Sequence, residues 1–169
     1  MGHGVARRTG RNAVESKSSK ALETQQLVGA FLALLAASSS LEAIWYLGIA
    51  QDVYFSRIGR LMNTQFDLTV AVFFYLIYSL GALIFVVRPA MLARSCKQAA
   101  QMGALYGFFC FSAHNLTDLA DMKGFSLEIT VIDMIWGTIM TAAACTLAFF
   151  LGRCLGKSAS VALPAAGPN

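Results

Sequence analysis

A few side chains in this sequence could do chemistry in surroundings where polar groups are rare. Glu42, His114, Asn115 and Asp133 each lie inside a long apolar stretch, and Asp118 lies four residues after His114. A carboxylate away from water is costly unless it is paired, protonated or hydrated. Acids in such surroundings therefore indicate either a functional site or a buried hydrogen-bonded network.

The apolar stretches that carry these residues are long enough to be membrane-spanning helices. They cover about residues 27–50, 68–87, 99–119 and 126–151. About 20 helical residues at about 1.5 Å each match a hydrocarbon core of about 30 Å. The chain is 57% hydrophobic and only 13% charged, whereas soluble domains are about 25% charged. The sequence thus predicts an all-α fold, an antiparallel bundle of four transmembrane helices.

The bundle accounts for residues 27–152, which we interpret as one domain. Residues 1–26 are polar and basic, and we predict a disordered N-terminal tail, with a targeting segment as the alternative. Residues 153–169 are predicted to be a flexible C-terminal tail.

With four crossings, most of the basic residues lie on one side of the membrane. All but three of the 13 lie in the two tails or in the link between the second and third stretches. Basic residues near span ends stay on the cytoplasmic side, so both termini should be cytoplasmic. The net charge is +4. Because the basic residues are concentrated on one side of the membrane, this charge favours contact with lipid headgroups and argues against nucleic acid as a partner. We expect an integral membrane protein of a bacterial-type plasma membrane, with an organellar membrane as the alternative.

Residues far apart in sequence should meet at one depth in this bundle. Glu42 and Asp133 lie about seven or eight residues from the predicted outer ends of their spans, and His114 about five, which is roughly 7–12 Å of helix. Each acid also has a tryptophan three residues later, on the same helical face. The predicted binding site comprises Glu42, Trp45, His114, Asn115, Asp118, Asp133 and Trp136.

Two interpretations of this site are favoured, and proton or ion handling is a further alternative. Glu42 could accept a hydrogen bond from Trp136, and Asp133 one from Trp45, in a network that clamps the helices together. Alternatively, the same polar residues could line a ligand pocket that opens to the outer leaflet.

Catalysis is disfavoured. The chain has no G-x-S-x-G or H-E-x-x-H motif. A His114–Asp118 acid/base pair is conceivable, but no nucleophile is evident beside it. The four cysteines form no C-x-x-C pair, so we expect no metal, no cofactor and no disulfide framework.

Small residues recur at intervals of four on the third and fourth stretches, which lets two helix backbones approach closely in lipid. They are Ala99, Gly103 and Gly107 on the third stretch and Gly137, Thr141 and Cys145 on the fourth. This pattern predicts tight packing within the bundle, with a homodimer face as the alternative.

Several strings resemble the predicted membrane proteins grouped as domain-of-unknown-function family 2177. They lie at residues 41–45, 74–78, 85–90, 115–119, 123–125 and 131–138. The resemblance covers about residues 27–152 and implies a four-span membrane protein of mostly bacterial origin, without an assigned activity. Compared with the family pattern, the first-span acid is Glu42 and not Asp. The third-span motif of the family has Asp first and Asn last, whereas this chain has Asn115 first and Asp118 last.

The sequence therefore favours an integral membrane binding or accessory protein with a polar pocket in the outer leaflet. Its expected partners are membrane lipid, a small lipid-like ligand, and a membrane protein or a second copy of the chain. The alternatives are a membrane-embedded enzyme acting on lipid, with His114 and Asp118 as acid and base, and a structural subunit of a membrane complex.

Overall fold

The computed structural model describes the backbone of residues 3–62 and 67–162 and the side chains of residues 23–62 and 67–155. All regular structure in these ranges is helical. Helix α1 is His3–Ile44, continued by a π-helical turn Trp45–Ile49; α2 is Gln51–Ile58; α3 is Leu68–Ala82, continued by a π-helical turn Leu83–Val87; α4 is Arg88–Leu92; α5 is Cys96–Asp121; and α6 is Leu127–Ala162.

Three segments of the described chain are long and apolar enough to cross a membrane. They are Glu23–Ile49, Leu68–Leu92 and Leu127–Leu155, which match the first, second and fourth predicted spans. The third predicted span forms α5, a helix of 26 residues. Because α5 carries glutamines, His114, Asn115 and acids at its end, its composition is less apolar than that of the other three.

The described helices continue beyond the predicted bundle on both sides. Helix α1 begins at His3 and α6 continues to Ala162. Residues 3–26 contain no proline, and many are good helix formers. An existing helix can therefore extend into them at one hydrogen bond per residue. The prediction for residues 163–169 lies outside the described part of the chain.

Helix α6 is the centre of the bundle, and its seam with α5 is built from small residues. A Cβ atom on Gly107 would collide with the Gly137 carbonyl and the Thr141 side chain. A Cβ atom on Gly103 would lie 3.0 Å from the Cys145 Cβ. The predicted close packing of these two stretches is thereby confirmed, and each glycine is needed for the approach of the backbones.

Helix α3 packs against the bundle through only part of its length. Residues 68–77 include no buried side chain. From Tyr78 onward the helix joins the core, where Ala82, Val86 and Val87 pack with Ala30 of α1 and other small side chains. The first part of α3 therefore leaves a gap between itself and α1 and α5.

The gap lies at the end of the bundle that carries α2, which we call the α2 end; the end that carries α4 is the α4 end. Helix α2 folds over the α2 end and buries Tyr54 and Ile58 against Ile129 of α6. An ion pair of 2.8 Å between Arg57 and Glu128 connects the same two helices. This arrangement places the Tyr54 ring of α2 beside Trp45 of the first span.

Candidate functional site

A cleft occupies the gap beside α3. It has a volume of about 400 Å³ and is lined by Glu42 of α1, Phe74 of α3, and Cys110, Phe111 and His114 of α5. We call it the Glu42 cleft. Its lining combines a carboxyl group and an imidazole with aromatic and thiol side chains, which is the mixed polar and apolar lining that small-molecule sites have.

The Glu42 carboxyl group is held by a tryptophan from α6. The Trp136 Nε1 donates to Glu42 Oε2 at 3.0 Å. Trp136 also stacks on Trp45, with ring centroids 4.4 Å apart and an angle of 9° between the planes. Because Glu42 and Trp45 are three residues apart on α1, one α6 side chain contacts both. The predicted hydrogen bond from Trp136 to Glu42 is confirmed.

The second predicted indole contact is wrong. Trp45 Nε1 donates to the Tyr54 hydroxyl at 3.4 Å, not to Asp133. Tyr54 lies in the link between the first two apolar stretches, outside the predicted spans. In the structure α2 folds back over α6 and brings this hydroxyl to the Trp45 indole.

His114 and Asp118 form a pair at the edge of the cleft. The His114 Nδ1 lies 3.0 Å from Asp118 Oδ2, as their spacing of four residues on α5 allows. The His114 side chain is 60% exposed, and it also lines the cleft. This pair is accessible, so it belongs to the rim and not to the bundle core.

Asn115 and Asp133 occupy the same layer of the α5–α6 seam. Gly103 faces Cys145, Gly107 faces Thr141, and Phe111 faces Gly137. Continuing this antiparallel register by one more turn pairs Asn115 with Asp133. Both side chains are buried, at 0% and 9% exposure.

This layer holds polar atoms that lack partners within the described chain. Asn115 Nδ2 donates to the Phe111 carbonyl at 3.1 Å, whereas its Oδ1 has no partner. The hydroxyls of Ser79 and Ser112 are also buried without partners among the described residues. Such atoms are unusual in a packed interior and call for a physical account.

Glu42 lies near two other residues of the predicted site. Glu42 is close enough to interact electrostatically with His114 and with Asp133, and also with the Tyr75 hydroxyl. Glu42 and His114 line the cleft; Asp133 is close to Glu42 but buried in the seam; Asp118 is on the rim. The predicted site thus divides into a cleft and a buried layer joined through Glu42.

Sequence reasoning missed Phe74, Tyr75 and Cys110. Cys110 precedes His114 by four residues and therefore shares its face of α5, so helical spacing could have indicated it. No pattern could have indicated Phe74 or Tyr75, because their positions depend on where α3 leaves the bundle.

The helices and the polar cleft together define a helical membrane protein with a polar site embedded among apolar segments. A family model described as "Predicted membrane protein (DUF2177)" matches residues 27–150. The chain belongs to this family, as its motifs predicted. No curated protein and no solved structure matches the chain.

Proposed function

We propose that this protein is an integral membrane binding protein in which α1, α3, α5 and α6 all cross the bilayer, with the Glu42 cleft in the outer leaflet. The observation that carries the proposal is the Glu42 carboxyl group, held at 3.0 Å by the Trp136 indole and facing a cleft of about 400 Å³. A group positioned in this way on packed helices is suited to recognise a ligand.

The position of α5 supports its crossing of the membrane. Gly103, Gly107 and Phe111 contact successive turns of α6, and α6 contains a segment apolar enough to span. A helix that lies along the middle of a spanning helix is at membrane depth itself. Its polar side chains are then tolerated because Asn115 faces the bundle and His114 faces the cleft.

The orientation follows from the charges at the two ends. Arg88, Arg94, Lys97 and Arg153 lie at the α4 end, together with the basic first residues of the chain. The positive-inside tendency therefore favours a cytoplasmic α4 end and an outward α2 end. The cleft, which lies toward the α2 end, is then in the outer leaflet.

A purely structural clamp explains less of the geometry. The Trp45–Trp136 stack and the Trp136–Glu42 hydrogen bond do connect α1 and α6. A clamp alone would need neither the open cleft beside Glu42 nor the exposed His114 on its rim. We infer that the clamp positions Glu42 for a ligand.

Filling the cleft tests the proposal. Cys110→Phe adds a ring inside the cleft, whereas Ala113→Phe adds the same ring on the exposed side of the same helix. Native mass spectrometry of the purified protein should detect co-purifying lipid with the parent chain and with Ala113→Phe, and at least about tenfold less with Cys110→Phe. Equal lipid retention by both variants, with unchanged melting temperatures, would contradict a ligand pocket here.

The 3.0 Å contact between His114 and Asp118 favours one second candidate, an enzyme acting on lipid. Because Asp118 contacts Nδ1 of the imidazole, Nε2 remains available as a general acid or base, as in the His–Asp pairs of hydrolases. Incubation with a fluorescent phospholipid, followed by chromatography of the products, should show turnover that His114→Ala abolishes. Absence of turnover in the parent chain would leave the binding function alone.

A further inference from the structure

We infer that the Glu42 cleft binds an amphiphile with a cationic amine headgroup, and that this ligand enters sideways from the lipid between α3 and α5. This inference rests on the proposed binding function and names its ligand class. It is drawn from the charges at the cleft, its aromatic lining and the incomplete packing of α3.

The described residues that line the cleft include one acidic group and no cation of fixed charge. Glu42 faces the cleft, and His114 is the only basic side chain in its lining. Asp118 on the rim already contacts His114. Asp133 is close to Glu42 as well. A cationic ligand would supply the counter-charge that acids at this depth need.

Two arginines at the α2 end contact other groups. Arg57 pairs with Glu128 at 2.8 Å. The Arg60 guanidinium packs on Gly124, where the chain turns with φ at 83° between α5 and α6. Neither belongs to the cleft lining, so neither arginine supplies Glu42 with a cationic partner.

Aromatic rings surround this carboxyl group. Phe74 and Phe111 line the cleft, and Tyr75 is within electrostatic range of Glu42. Ring faces attract ammonium groups, and the attraction grows when water is excluded. A carboxylate next to aromatic faces therefore recognises an amine better than a hydroxyl or an anionic group of similar size.

The direction of access follows from α3. Its residues 68–77 include no buried side chain, and Phe73, Phe74 and Ile77 are exposed. On α5, Phe111 lines the cleft. The α3 side of the gap is thus apolar and exposed, which suits an alkyl chain that remains in the lipid while its headgroup reaches Glu42.

Three probes with one chain length separate the headgroup from the chain. Dodecylamine, dodecanol and dodecanoate would be titrated into the protein held in phosphatidylcholine nanodiscs. Trp45 and Trp136 are the only tryptophans of the chain and both contact the site, so intrinsic fluorescence reports binding there. Dodecylamine should bind at least about tenfold more tightly than dodecanol, and dodecanoate most weakly, since hydrogen bonds to charged groups are the stronger ones.

Matched variants assign the preference to one carboxyl group. Glu42→Gln should reduce the affinity for dodecylamine to that for dodecanol while leaving dodecanol binding unchanged, because the Gln oxygen can still accept from Trp136. Glu128→Gln, which removes an exposed carboxyl group outside the cleft, should leave the preference intact. Protection of Cys110 from a lipid-soluble maleimide by dodecylamine, in a Cys96→Ala, Cys154→Ala background, would locate the probe.

The outcomes distinguish the inferred amine headgroup from the proposed binding function. Equal affinities for the three probes, or tightest binding of dodecanoate, would overturn the amine headgroup while the cleft stands as a lipid site. Binding of dodecylamine that survives Glu42→Gln would overturn the role of this carboxyl group. Failure of every probe to bind or to protect Cys110 would overturn both the inference and the proposed function.

Discussion

Glu42 and Trp136 satisfy each other in an environment that offers few alternatives. An indole N–H in an apolar environment needs an acceptor, and a carboxyl group needs a donor. The 3.0 Å bond between Trp136 and Glu42 meets both needs with one oxygen. The second oxygen of Glu42 is the group that a ligand in the cleft would use.

Removing the indole donor should weaken the connection between α1 and α6. Trp136→Phe keeps an aromatic ring against Trp45 but loses the N–H donor to Glu42. We expect a loss of about 0.5–2 kcal/mol in the free energy of unfolding, measured by denaturation with sodium dodecyl sulfate in mixed micelles. The Trp136→Phe and Glu42→Leu effects should not add in a double-mutant cycle, because either substitution alone removes the bond; additive effects would indicate that the bond contributes nothing.

Asp133 should be replaceable by its amide. Asp133→Asn removes the electrostatic conflict with Glu42 and brings an NH₂ donor into the layer where Asn115 Oδ1 lacks a partner. Stability in the same assay should stay equal or rise by up to about 1 kcal/mol. Asp118→Asn serves as the control on the rim and should change stability by less than about 0.5 kcal/mol. A large loss on Asp133→Asn would mean that the carboxyl group makes an essential contact.

At the scale of elements, the α5–α6 seam determines the layer in which Asn115 and Asp133 meet. Glycine at 103, 107 and 137 lets the backbones approach closely. The register follows from these contacts, because each larger side chain must fall opposite a small one. Helix α3 has no such seam along residues 68–77, and the cleft lies where this packing is missing.

A methyl group added in the seam should separate the two helices. Gly107→Ala places a Cβ atom against the Gly137 carbonyl, and backbone cannot move aside as a flexible side chain can. We expect a loss of about 1–3 kcal/mol. Gly48→Ala is the matched control, because its Cβ atom would meet nothing within 4 Å, and it should be neutral or stabilising by up to about 1 kcal/mol. Equal effects of the two substitutions would contradict a tight seam.

At the scale of the whole molecule, the central question is how many times the chain crosses the bilayer. If α5 did not cross, α6 would run outward and Cys154 would lie outside. The side-by-side contacts of α5 with α6 argue for four crossings instead. In the proposed topology the two ends of the bundle face different compartments, with the α2 end outside.

Cysteine labelling tests this topology. In a chain whose other cysteines are alanine, an impermeant maleimide added to intact spheroplasts should label Ser56→Cys on the exposed side of α2 and should not label Cys154. Permeabilised cells should show both labels. Labelling of Cys154 in intact cells would refute the proposed orientation or the number of crossings.

The sequence by itself determined the helical class, the family, three spans confirmed by length and composition, and the hydrogen bond from Trp136 to Glu42. These follow from composition and from depth along a helix, which local spacing defines. Only the tertiary structure decided that Trp45 pairs with Tyr54, that Asn115 and Asp133 share a buried layer, and that Phe74 and Cys110 complete a cleft. These features depend on how helices rotate and separate against one another, because packing between distant segments is not encoded in any single window of sequence.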